Sequence, residues 1–195
     1  EQFGIDISFL LCGDGKLVEA YQELGAVTLA LDTQGLESAT RQLSKDGFAG
    51  VIANSIGSGL AVGQLKAAGA KVIALVHEMP KLITANYLEA HAKTVASIAD
   101  EVVFPSPIVR DAFVESIGPV IGKTSIRPQG IYHRLTRVPN ARESLIGELK
   151  LPADARIVLN VGYGDMRKGV DLFCATARQT ADENPRTYFV CEGEV

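Results

Sequence analysis

Residues 156–173 read R-I-V-L-N-V-G-Y-G-D-M-R-K-G-V-D-L-F. Residues 157–161 form a short run of β-branched and apolar side chains, the pattern of a strand buried on both faces. Gly162, Tyr163 and Gly164 interrupt it. Two glycines permit a tight turn and let backbone N–H groups approach a ligand with no Cβ in the way. Asp165 is suited to cap a following helix. Arg167 and Lys168 then place two cations at that helix start. This charge pattern opposes the helix dipole, whose N-terminal end is already positive. A bound anion would resolve the conflict, because a strand, a glycine turn and a helix N-terminus together make a phosphate site. An ordinary α/β turn with a solvated Arg-Lys pair is the plain alternative, and on these residues both readings stay open.

Working outward, strand-like and helix-like stretches alternate along the chain. Strands are expected at residues 5–11, 26–31, 49–53, 71–76, 101–104, 124–127, 157–161 and 187–191. Helices are expected at 17–24, 36–43, 60–68, 82–99, 108–117, 141–149 and 170–184, with Pro80 suited to a first helical turn and Pro185 ending the last helix. Such alternation predicts α/β architecture with doubly wound parallel sheets. Residues 131–140 are polar and poorly periodic, and read as a linker. That divides the chain into residues 1–130, with about six strands, and residues 141–195, with two. A unit of roughly 55 residues is marginal by itself, so the second reads as part of a larger domain.

Composition bounds the function. The chain has 195 residues, 47% hydrophobic and 22% charged, with a net charge of −4. These are the proportions of a globular protein, and the charge gives no case for nucleic-acid binding. Cys12, Cys174 and Cys191 lack metal-ligand spacing and lie in or beside apolar runs. They are expected as buried free thiols in a reducing cytoplasm.

In open parallel sheets, ligands bind beyond the carboxyl ends of the strands. Three such ends carry polar residues: Asn54-Ser55, His77-Glu78, and Arg127-Pro128-Gln129-Gly130. His77 follows an apolar strand and precedes a proline-initiated helix. It reads as a proton carrier, as a donor to a substrate hydroxyl, or as a structural histidine satisfying a loop carbonyl. Asn54 and Ser55 are equally good helix caps, Glu78 suits a helix N-terminus, and Ser106 reads as a cap. Gly130 is expected in a glycine-specific conformation. His91 and His133 read as surface residues.

The stretch V-G-Y-G-D-M-R-K-G-V-D-L-F resembles the opening of the second domain of group-one glycosyltransferases, retaining enzymes of the GT-B fold. L-V-H-E-M-P, Asn54-Ser55, A-D-E-V-V-F-P-S-P-I-V-R-D-A-F and R-P-Q-G-I-Y resemble elements of the first domain, in the family's order. The resemblance implies two Rossmann-like domains, both incomplete here. The first is an acceptor domain lacking its first strand; the second is the start of a nucleotide-sugar-binding domain whose two carboxylates would lie beyond Val195. It implies transfer of a sugar from a nucleotide-diphosphate donor, held in the cleft between the domains, to a hydroxyl acceptor with retention. No metal or other cofactor is implied. Gly162, Gly164, Arg167 and Lys168 would bind the donor phosphates, His77 would act at the transferred sugar, and Asn54, Ser55 and Glu78 would contact substrate. Lys168 and Gly169 match the family's pattern, whereas Tyr163 stands where the family usually has arginine. A nucleotide-sugar epimerase, or a non-catalytic binder of the same plan, is the alternative. The 195-residue piece by itself is expected to be inactive, and a peripheral membrane contact stays open.

Overall fold

The computed structural model describes residues 5–48, 50–130 and 136–193. Ala49, the first half of the expected linker, and His133 within it lie outside the described residues. The chain forms two compact units, Glu1–Ile131 and Tyr132–Val195.

The first unit runs β1 (Ser8–Leu11), α1 (Val18–Gln22), β2 (Ala26–Leu29), α2 (Thr33–Lys45), β3 (Gly50–Asn54), α3 (Gly59–Ala67), β4 (Lys71–Leu75), α4 (Pro80–Ala85), α5 (Glu89–Ile98), β5 (Glu101–Phe104), α6 (Pro107–Ile117) and β6 (Lys123–Ile126). All pairings are parallel, as alternation predicts. The six strands form two sheets rather than one: β1 pairs with β2, and β3, β4, β5 and β6 follow one another in sequence order. No strand among the described residues pairs with the second edge of β1 or of β3.

The core lies around the four-stranded sheet. Val72, Ala74, Val102 and Phe104 join Ile56, Val62, Ile83, Val95 and Phe113 in one continuous apolar cluster. Phe104 and Phe113 rings meet at 5.5 Å. Burying an aromatic ring at such a site removes a large apolar area from water. Helix ends follow their capping chemistry. Asp32 accepts from the Gly35 N–H at 2.6 Å and starts α2 earlier than the apolar spacing suggested. Ser106 accepts from Val109 N–H at the start of α6.

The single helix expected over residues 82–99 is two helices. α4 stops at Asn86, whose side-chain amide donates to the Leu82 carbonyl, and Tyr87 takes φ +56°. A left-handed residue cannot continue a right-handed helix. His91 is not a free surface residue either: it is half-buried, and a Cβ on Gly59 would lie 2.5 Å from its own Cβ. The α3 N-terminus therefore packs directly on α5, and glycine is required there for close approach.

The second unit contains α7 (Ala141–Glu148), β7 (Arg156–Val161), α8 (Val170–Thr180) and β8 (Thr187–Glu192). β7 and β8 are parallel and in register from Arg156↔Thr187 to Val161↔Glu192. The expectation that β7 is buried on both faces fails: Leu159 is 52% and Val161 69% exposed. Two strands and two helices do not supply enough surface to cover both faces of the sheet. The cysteines follow suit. All three are exposed, Cys174 and Cys191 because they sit on this uncovered unit and Cys12 because it lies just past the end of β1. The last helix ends at Thr180, short of Pro185. Among the described residues, no helix is long and apolar enough to cross a membrane.

Candidate functional site

In the first unit, the carboxyl ends of β3 and β4 lie side by side, with Asn54 in register with Leu75. The parallel pairing brings Asn54-Ser55 and His77-Glu78 to one edge of the sheet. Arg127 follows β6, two strands farther along, and its N–H donates to the Phe104 carbonyl at 2.9 Å. Gly130 does not have a positive φ and has open space around it, so the glycine-specific conformation expected there is not found.

Ser55 is unusual. Its backbone sits at φ +72°, ψ 159°, a region occupied almost only by glycine. Its N–H continues the ladder to the Leu75 carbonyl at 3.0 Å. Its Oγ accepts from Gly57 N–H at 3.2 Å and so caps a short 3-10 turn, Ile56–Ser58. Ser58 Oγ donates to the Asn54 carbonyl at 2.8 Å. The Asn54 side chain is left at the exposed end of the strand.

His77 is exposed at the end of β4, and Glu78 beside it is only 7% exposed. Glu78 Oε1 accepts from the Ile56 N–H at 3.1 Å, and Oε2 accepts from the His77 N–H at 3.2 Å. The His77 Nε2 stands 3.9 Å from Glu78 Oε1, too long for a hydrogen bond. The imidazole is thus open to a ligand, while the carboxylate is turned onto the two strand-end turns. Pro80 occupies the first turn of α4, as its fixed φ favours.

The second unit carries the glycine turn. Gly162 takes φ +149°, and its N–H donates to the Glu192 carbonyl at 2.9 Å. A Cβ on Gly162 would lie 3.6 Å from Lys168 Cγ and Cδ, so the lysine's aliphatic stem lies across the turn. Gly193, at φ +144°, presses on the same place: a Cβ there would be 2.0 Å from the Gly162 carbonyl oxygen. Sequence reasoning missed Gly193. The signal was available, since it follows β8 as Gly162 follows β7.

The helix begins at Val170, as expected, but Asp165 is not its cap. Asp165 caps a 3-10 turn, Met166–Lys168, accepting from the Arg167 N–H, and its other oxygen lies 3.6 Å from Arg167 Nε. Gly164 is not among the positive-φ glycines, whereas Gly169, at φ +71°, is the N-cap of α8. Part of the charge conflict read from the sequence is therefore answered internally, by Asp165 on Arg167. Lys168 has no ion-pair partner among the described residues. α8 also starts without a side-chain cap, so its first N–H groups are left for another acceptor.

No protein-family model matches the sequence. No curated protein matches it either. Solved structures do. One, from E. coli, is described as trehalose-6-phosphate bound with UDP-2-fluoro glucose; it is 14% identical, with a TM-score of 0.52 over 81% of this chain and 43% of that one. Another is a trehalose-6-phosphate synthase studied with bisubstrate glycomimetics for glycosyltransfer with retention, 14% identical with a TM-score of 0.50 over 81% and 42%. The chain spans less than half the length of the structures it matches. At this identity the likeness concerns the fold alone: parallel-sheet α/β units that match Rossmann-like domains of the GT-B fold.

Proposed function

We propose that the full-length protein is a glycosyltransferase moving a sugar from a nucleotide-diphosphate donor to a hydroxyl acceptor with retention. The turn at residues 162–169 is the diphosphate cradle. The observation that carries this is a cation and uncapped helix N–H donors gathered at one turn. The Lys168 stem lies over Gly162, Lys168 has no ion-pair partner among the described residues, and α8 begins without a side-chain cap. Each feature favours an anion, and together they offer a cation and N–H donors at one strand end.

In this reading no metal is needed. Lys168 and the α8 N–H groups stabilise the negative charge that grows on the leaving diphosphate, often the largest single term in such catalysis. Arg167, already next to Asp165, contributes less. The acceptor proton passes to the leaving phosphate oxygen, so His77 is not the base. It holds a hydroxyl of the sugar, and Asn54 and Ser55 offer further hydrogen bonds at the neighbouring strand end. The two sheets of the first unit are, on this view, parts of one sheet completed by a strand from ahead of Glu1. The open edge of β3 and the 70% exposure of Ile52 motivate that reading.

Lys168→Ala in the full-length enzyme is expected to reduce kcat/KM for a nucleotide sugar roughly tenfold or more, because a charge-assisted contact contributes about 1.5–3 kcal/mol. Steady-state kinetics with product analysis checks this. Unchanged kinetics removes the phosphate role, and conversion of the donor without transfer to an acceptor replaces transfer by epimerisation.

A further inference from the structure

We infer that Glu78 is a positioning residue: its carboxylate latches the strained turn after β3 to the turn after β4, so that Asn54, Ser55 and His77 are presented as one rigid set. The use of that set on a sugar rests on the reading above; the latch itself does not.

A serine at φ +72°, ψ 159° persists only where its surroundings over-determine it. Four restraints do so here. The Ser55 N–H is tied to Leu75, the Ser55 Oγ to Gly57 N–H, and the Ile56 side chain is sealed in the core. The fourth is the Ile56 N–H donating to Glu78 Oε1. It alone comes from a side chain of the neighbouring strand end. The same carboxylate accepts from His77 N–H through its other oxygen. One group thus bonds the backbone immediately after Ser55 and the backbone of His77.

The choice of residue is informative. A buried carboxylate is costly to desolvate, and no Lys or Arg pairs with Glu78 among the described residues. A neutral core would avoid that cost but would leave the buried Ile56 N–H and the part-buried His77 N–H without partners. Only an acceptor with two oxygens, on a short side chain, reaches both turns. The α3 start behind the turn is also pinned, because Gly59 abuts His91. The turn is therefore held from both sides, and Glu78 holds the side nearest His77.

Glu78→Gln, Ser55→Gly and the double variant of the full-length protein test this. Gln keeps the shape but has one acceptor oxygen, so one N–H loses its partner. Glu78→Gln is expected to lower Tm by roughly 4–8 °C, given what an unsatisfied buried donor costs. Glycine adopts the Ser55 conformation freely. In the Ser55→Gly background the same change should therefore cost less than half as much. Losses that simply add overturn the latch, because coupled residues are non-additive. Amide exchange gives a second readout: Glu78→Gln should speed exchange at Ile56 and His77 by about tenfold or more and leave Val102 unchanged. Equal acceleration at all three overturns it. If Glu78→Gln does not fold, recovery of folding in the double variant supports the latch, and failure of both overturns it. Transfer kinetics separates the two readings. A coupled Tm in a protein with no sugar transfer sustains the latch and sinks the transfer proposal, and normal transfer with additive Tm losses does the reverse.

Discussion

β4 and β7 are written in nearly the same residues. K-V-I-A-L seals Val72 completely, whereas R-I-V-L-N-V leaves Leu159 half in solvent and Val161 more so. β4 lies between β3 and β5, with α3 and α5 packed in the same core. Among the described residues β7 has one partner strand, and α8 lays Phe173 on Phe189 with ring centroids 5.2 Å apart. The difference teaches that an apolar run specifies a strand but not its burial, because burial belongs to the neighbours. It also separates the two candidate sites. The turns after β3 and β4 stand on a packed core, and the glycine turn after β7 stands on a two-stranded ribbon.

The largest effect that would break this contrast is a core deletion. Phe113→Ala should cost about 3–5 kcal/mol, the usual loss for a buried aromatic, while Leu159→Ala should cost about 1 kcal/mol or less because its side chain is already half-exposed. Urea denaturation of the 195-residue chain measures both, and comparable losses would show that β7 is covered after all.

Gly193→Ala probes what order the second unit does have. The added Cβ would collide with the Gly162 carbonyl, and φ +144° is strained for alanine. A loss of roughly 1–3 kcal/mol is expected, as for other enforced backbone outliers, together with faster exchange of the Gly162 amide. An unchanged Gly162 amide would mean that the two glycine turns do not hold each other.

A smaller, pH-dependent effect belongs to the first unit alone. Lys66 Nζ donates to Asp100 at 2.5 Å and the Val72 N–H donates at 2.8 Å. Lys66 first, then the backbone bond, holds the Asp100 carboxyl below its ordinary value of 3.8. A carboxyl lowered by folding stabilises the native state above its unfolded value and loses that contribution as pH falls through the folded one. Thermal melts should therefore show the wild type losing stability below about pH 4 more steeply than Asp100→Asn. Parallel pH profiles would remove Asp100 as a contributor.

Much of the site was legible because it depends on chain-local chemistry. Pro80 and Ser106 mark helix starts through a fixed φ and a short acceptor side chain. His77 and Asn54 could be placed on one edge because parallel strands share an end. Other features had no local signature. Nothing in N-S-I-G-S-G indicates that the serine, rather than a glycine, takes the strained conformation. Nothing in H-E-M-P shows that the glutamate faces the backbone of another strand. The break at Tyr87 escaped for a related reason: helical spacing continues across it, and only the backbone reveals the reversal.

By itself the sequence determined the order of strands and helices, their parallel sense, and which polar residues follow which strand. These are consequences of period, turn chemistry and chain direction, all within reach of a few neighbouring residues. Only the tertiary structure decided which strands are covered, that six strands make two sheets, and that Glu78, Gly193 and Gly59 act through backbones distant in sequence. Those outcomes depend on which surfaces meet, and a linear pattern does not record its partners.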